Sequence, residues 1–549
     1  MPIGQVNESP SAYPLLIKQL LLTPMAHSPD QEIVYAEVSR YTYRTFRERV
    51  SRLAGGLRNL GVQAGNSVAV MDWDTHRYLE CYFAIPMMGA VIQTVNVKLT
   101  PEQILYTLNH AQADVLLVNA EFLPIVEEIA SRLKTVKAFV LLTDTPALPA
   151  SKIAFATEYE KMLASAPATY DFPDFDENTR ATTFYTTGTT GLPKGVYFTH
   201  RQLVLHTLAS ATALGTTPGQ QNLCRNDVYM PLTPMFHVHA WGLPYVATML
   251  GIKQVYPGAY HPDRLCRLIR NENVTFSHGV PTVLHMILNH PQSREVDLSR
   301  LKLIIGGSAL TPALAIAARK RGIDLFCGYG LSETCPILTI AQLPSSLFDA
   351  TPEAQAPLRC KTGLQMPLVD LQVVDDDMKP LPHDGQITGE VVVRAPWLTQ
   401  GYLHDEGASE QLWRGGYLHT GDIGHIDANG YLQITDREKD VIKTGGEWIS
   451  SLQMESLLLQ HPAVQEVAVI AQRDDKWGER PLALVLLKPE YQGQVNEAVL
   501  RKHVVQNAEI GGLGRFAILV HIIFVAGLLK TSVGKTNKRE LRKLHGGDA

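Results

Sequence analysis

Thr186-Thr187-Gly188-Thr189-Thr190-Gly191-Leu192-Pro193-Lys194-Gly195 puts four threonines, three glycines and one lysine into ten residues after a short β-prone run. The mixture suits phosphate. Glycines let backbone N–H groups approach oxyanions, hydroxyls add donors, and Lys194 adds a charge-assisted contact. The flanks say which kind of loop it is. A Walker A loop passes from strand to helix and ends in GK[ST], whereas Lys194-Gly195 enters a second strand-like run, Val196 to Phe198, before a helix after Thr199. Near the C-terminus, Gly534-Lys535-Thr536 imitates the end of a Walker A motif, but Leu529 stands where that motif needs glycine.

Working outward, helical and strand patterns alternate through much of the first 430 residues. Thr100-Pro101-Glu102-Gln103 reads as a capping box opening a helix, followed by the apolar run Val115 to Val118. Leu303 to Ile305 leads through Gly306-Gly307 to a helix starting near Thr311-Pro312, then to a strand Ile323 to Cys327. This is α/β grammar, with layered sheets flanked by helices. Asp144 to Ser151 reads as a long surface loop. A boundary near Thr435-Asp436 leaves a tail of about a hundred residues with strands at Val467 to Ala471 and Leu482 to Leu487. The expected organisation is a large multilayer domain over residues 1–435 and a small, mobile α/β domain over 436–549, with a hinge near 436–439.

Composition excludes several classes. A hydrophobic share of 45%, 19% charged residues and a net charge of -5 describe a globular enzyme with no field favouring nucleic acid. Six cysteines without a CxxC pair suit reduced thiols. The N-terminal residues carry no secretory pattern, so a cytoplasmic location is expected. Phe516 to Leu529, the longest apolar stretch, is shorter than the roughly 20 residues that span a bilayer and reads as a buried strand, with peripheral membrane contact left open.

The phosphate-loop string resembles the signature of the adenylate-forming superfamily of acyl-CoA synthetases, luciferases and adenylation domains. Six more strings follow in that family's order: PMFHVHAWG at Pro234 to Gly242, GGSAL at Gly306 to Leu310, GYGLSET at Gly328 to Thr334, TGD at Thr420 to Asp422, DREKDVIKTGGEWIS at Asp436 to Ser450 and KTSVGK at Lys530 to Lys535. The resemblance implies that an acid and ATP give acyl-AMP and pyrophosphate, and that CoA then takes the acyl group. It implies that Thr186, Thr187, Gly188, Thr189, Thr190, Gly191 and Lys194 hold phosphate and that Glu333, with Thr186, binds Mg²⁺. Ser332, where threonine is usual, contacts phosphate. Gly307, Ser308, Gly328, Tyr329 and Gly330 line the nucleotide site, Tyr329 by stacking on adenine, while Asp422 and Arg437 bond the ribose. Lys535 is the adenylation lysine and Lys439 the hinge about which the small domain turns. Gly445, Gly446 and Glu447 border the CoA channel. A homodimer through the large domain is also in keeping with the resemblance.

The segment Pro234 to Trp241 holds no carboxylate to pair an α-ammonium, and an unpaired buried ammonium is costly, which disfavours an amino acid. The string resembles the medium- to long-chain fatty acyl-CoA synthetases, where the tryptophan gates an apolar tunnel. His237 would then sit near the carboxylate, and Val238, Trp241, Gly279, Val280 and Pro281 would line the acyl pocket, with Phe276 and Val283 as further apolar wall. A short thioether, branched or aromatic acid and a carrier-protein acceptor are the alternatives within the class. A luciferase-type oxygenating enzyme and a non-catalytic nucleotide-binding regulator are those outside it. Leu519 and Leu529 stand where the family often has proline, each loss carrying about 0.4–1 kcal/mol through the unfolded state. The Leu529→Pro variant is expected to adenylate faster in a pre-steady-state assay, and an unchanged rate rejects the idea.

Overall fold

The run Leu303 to Ile305 lies in a strand, Lys302–Ile305, with parallel neighbours Phe276–Gly279 and Asp324–Gly330 on its two sides. Parallel strands covered on both faces need unbroken apolar sequence, which is why this run shows no alternation. The computed structural model describes residues 13–145, 148–186, 192–217, 222–444, 447–507, 520–531 and 535–546. Among them, this trio belongs to a nine-stranded sheet, and a seven-stranded sheet runs from Thr157–Glu158 to Gly195–Thr199. A five-stranded sheet carries Tyr417–Ile426 paired with Leu432–Arg437.

Local signals act where they stand. Thr100 and Gln103 close a capping box on Pro101–His110, and Thr199 with Gln202 does the same for His200–Gly215. Thr311 caps Pro312–Lys320 by accepting from Leu314 N–H. The expected strand Ile323 to Cys327 instead runs Asp324–Gly330. An antiparallel partner, Ile337–Ile340, keeps pairing past Cys327 to Gly330, so the Gly-Tyr-Gly string lies in a strand.

One apolar core gathers buried residues from Ile17 to Leu432. A separate core joins Ile442, Met454, Val485, Leu500 and Ile522 around another five-stranded sheet. Helices Ser451–Leu459 and Glu497–Asn507 cover one face of that sheet, and Leu541 of Lys538–His545 packs on the other. The expected buried strand within Phe516 to Leu529 is corrected to a half-buried edge strand, His521–Phe524. Among the described residues it pairs only with Gly478–Leu487, leaving Ile523 and Phe524 38% and 40% exposed. Leu519 lies outside the described residues. No described helix is long and apolar enough to cross a membrane.

Candidate functional site

Parallel strands direct their carboxyl ends to one edge, where α/β sheets bind ligands. At that edge the chain leaves Val228–Leu232 for Pro234, Phe276–Gly279 for Val280, and Lys302–Ile305 for Gly306-Gly307. Small residues are required there. A β-carbon at Gly306 would lie 2.9 Å from Cη2 of Trp241 and 2.7 Å from the Gly328 carbonyl oxygen. One at Gly330 would overlap the Pro336 carbonyl. Gly307 has φ +77°, and a β-carbon on it would meet Lys535 Cε at 3.2 Å and Val280 Cγ1 at 3.3 Å. Pro281 opens the helix Pro281–Asn289 directly after Val280. Ser308, next to Gly307, is exposed. Phe276 occupies the other end of its strand, stacked under Lys302. At about 3.3 Å per residue it is roughly 10 Å from Gly279, so it is core rather than pocket wall.

Lys535 reaches this edge beside Gly307, and its carbonyl accepts from Thr531 N–H at 2.6 Å. Burial, with Arg437 adding to it, lowers its ammonium pKa to about 8, while Asp422 and Glu333 pull the other way. At the ribose end of the expected nucleotide site, Asp422 faces Arg437 across two antiparallel strands. Its carboxylate accepts from Tyr329 Oη at 2.7 Å and pairs with Arg437 Nε at 3.2 Å. Burial pushes that carboxyl up, and Arg437 and Tyr329 oppose the shift.

At the end where phosphate is expected, Thr186 N–H donates to the Lys194 carbonyl at 3.0 Å. Thr187, Gly188, Thr189, Thr190 and Gly191 lie outside the described residues. Lys194 Nζ stands 4.6 Å from the centroid of the Tyr402 ring, and Tyr402 Oη donates to Glu333 Oε1 at 2.8 Å. Ser332 opens the short turn that presents Glu333, whose carbonyl accepts from Thr399 N–H at 3.0 Å. Sequence reasoning missed Tyr402: nothing local in Gly401-Tyr402-Leu403 marks it, and its partners lie far away in the chain.

The segment after Pro234 is the most unusual backbone in the site. Val238, His239, Ala240, Trp241 and Gly242 have φ of 47°, 54°, 48°, 59° and 73°, a turn of left-handed helix. L-residues resist this by about 1–2 kcal/mol each, and such strain gathers at functional sites. Gly242 is required by contact as well, since a β-carbon would sit 2.8 Å from His206 Nδ1. Four imidazoles lie in or beside the turn. His237, His206, His239 and His278 are all held neutral with pKa values of about 3, burial being the main cause; Lys535 also depresses His237. His278 lies tilted by 46° against Trp241 at 5.0 Å, stacks on the Tyr229 ring and bonds Tyr229 Oη at 2.9 Å. Nothing in the local sequence marks His206 or His278, which reach the turn only by folding.

Lys439 lies among Arg437, Asp440, Arg542 and Asp422, and burial lowers its pKa. Arg542 bonds Asp440 at 2.5 Å, while Asp436 accepts from Ser451 N–H at 2.5 Å. Gly445 and Gly446 lie outside the described residues, and Glu447 begins the strand Glu447–Ile449.

The AMP-binding enzyme family matches residues 23–403, and the AMP-binding enzyme C-terminal domain matches residues 453–535. Over 510 residues, 92% of this chain and 90% of its relative, the sequence is 42% identical to the long-chain-fatty-acid–CoA ligase of Thermus thermophilus. It is 37% identical over 537 residues to the 3-methylmercaptopropionyl-CoA ligase of Ruegeria lacuscaerulensis, covering 96% of this chain and 97% of that one. Among solved structures, the anthranilate CoA ligase AuaEII with anthranoyl-AMP is similar at a TM-score of 0.83 and 25% identity, over 97% of this chain and 98% of that one. Because the first of these matches spans most of the chain, including the strand ends that form the cleft, the protein belongs to the AMP-binding, adenylate-forming enzyme family.

Proposed function

We propose that the enzyme, an AMP-forming acid–thiol ligase using ATP and CoA, acts on medium- to long-chain fatty acids. The carrying observation is the chemistry around the turn: buried Val238 and Trp241, neutral histidines, Lys535 as the nearby cation, and no carboxylate in Pro234 to Gly242 for an ammonium. The 42% identity to a long-chain ligase supports the same acid. A short thioether acid is the second reading, favoured by the relative that acts on 3-methylmercaptopropionate.

In this reading Lys535 neutralises charge as the acid carboxylate meets the α-phosphate, the kind of preorganised stabilisation that carries most acyl activation. His237, kept uncharged, serves as a neutral hydrogen-bonding group beside that carboxylate. Tyr329 and Gly307 flank adenine, and Asp422 and Arg437 take the ribose. Glu333, aimed by Tyr402, and Thr186 offer the oxygen ligands that Mg²⁺ prefers. An ion held there would supply charge neutralisation to the phosphates. The boundary at 435–436 with a hinge at Lys439 belongs to the same proposal. Turning there withdraws Lys535 and brings Gly445, Gly446 and Glu447 to the CoA thiol's path.

Pyrophosphate and AMP release measured from acetate to oleate, with thioether and aryl acids added, is expected to peak on medium or long chains and to need CoA for turnover. A peak on the thioether acid establishes the second reading instead. Lys535→Ala is expected to slow adenylation roughly 100- to 1,000-fold yet convert supplied acyl-AMP and CoA to thioester, whereas Lys439→Ala spares adenylation and slows thioester formation. Lys535 is charged below about pH 8, so kcat/KM for adenylation should fall as pH rises through 8. Lys535→Arg should remove that limb.

A further inference from the structure

We propose that Asp74, acting with Thr94 and Tyr82, is a positioning residue that holds Met235-Phe236 and thereby fixes the left-handed turn setting the acid pocket. The proposal rests on the reading that Pro234 to Gly242 faces the acid. Asp74 is 2% exposed and follows the strand Ser67–Met71 of the seven-stranded sheet. Its Oδ1 accepts from Met235 N–H at 2.8 Å, and its Oδ2 accepts from Tyr260 Oη at 2.5 Å. Tyr82 Oη donates to the Met235 carbonyl, and Thr94 Oγ1 donates to the Phe236 carbonyl at 2.9 Å. Three side chains from the seven-stranded layer thus converge on two consecutive residues leaving the nine-stranded sheet.

Asp74 is itself immobilised. Gly258 N–H bonds its carbonyl at 2.8 Å, and in the same loop Asp72 is bonded by Thr75 and Asn119 at 2.6 and 2.7 Å. The anchor therefore spans the carboxyl ends of both sheets. Turn residues 238–241 bear unfavourable φ values without glycine, and such a shape persists only where its surroundings over-determine it. A carboxylate accepting a backbone N–H is stronger than a neutral acceptor. Burial raises the Asp74 pKa to about 7, a cost tolerated at this position.

The test uses the full-length enzyme and its best acid. Asp74→Asn and Thr94→Val are expected to raise the KM for the acid about tenfold or more and broaden chain-length preference, with the KM for ATP and the unfolding temperature close to wild type. Thr94→Ser, which keeps the hydroxyl, should restore both KM and preference. Equal rises in the KM for acid and ATP, or an acid KM unaffected by Thr94→Val, overturn the proposal; Thr94→Val decides alone where Asp74→Asn does not fold. Trp241→Ala separates the two readings. If it shifts acid preference while the anchor variants do not, the positioning proposal fails and the acid-site reading stands. If it leaves preference untouched, the acid-site reading fails and takes the proposal with it.

Discussion

A turn of left-handed backbone wedged between two sheets governs the architecture of this cleft. Val238 to Gly242 cannot hold that shape alone, because each L-residue in it is disfavoured. Its geometry depends on contacts from elsewhere: the Met235-Phe236 anchors, His206 against Gly242, and Trp241 laid on Gly306 and His278. Moving either sheet would misplace both the imidazole of His237 and the indole of Trp241. The nine- and seven-stranded sheets must therefore pack in one relation for this turn to keep its shape.

The side of the edge where a nucleotide is expected works by a different economy. Glycines at 306, 307 and 330 remove side chains where the Trp241 ring, carbonyls and Lys535 approach closely. Charge is concentrated in a few groups. Asp422 is held between Tyr329 and Arg437, and Glu333 is steered by Tyr402, which also lies under Lys194. His237 and His239 are buried and uncharged, so neither adds positive charge here. Lys535, lowered only to about 8, and Arg437, whose pKa is raised, keep their charge where the imidazoles lose theirs.

Two separate cores meet at this edge. Residues 436–440 join them, tied to the large core's sheet through the Asp422–Arg437 pairing and to the smaller core through Asp436–Ser451 and Asp440–Arg542. Contacts of this kind are polar and geometrically specific, unlike the continuous apolar packing inside each core. That contrast gives the hinge reading its physical basis, since polar contacts exchange partners more readily than buried apolar surfaces separate.

Sequence by itself determined the α/β alternation, the capped helices at Thr100, Thr199 and Thr311, and the glycines at the crowded strand ends. These signals are local: a cap, a buried parallel strand or a glycine at a crowded backbone is specified by residues a few positions apart. It misjudged the strand through Tyr329, the edge strand at His521–Phe524 and the place of Phe276, because each was decided by which neighbour lay across the sheet. Only the tertiary structure decided that Tyr402 joins Lys194 to Glu333, that four histidines are neutral, and that Asp74 reaches Met235 across 161 positions of chain. Such pairings and burials come from three-dimensional packing, and no periodicity or spacing in the chain encodes them.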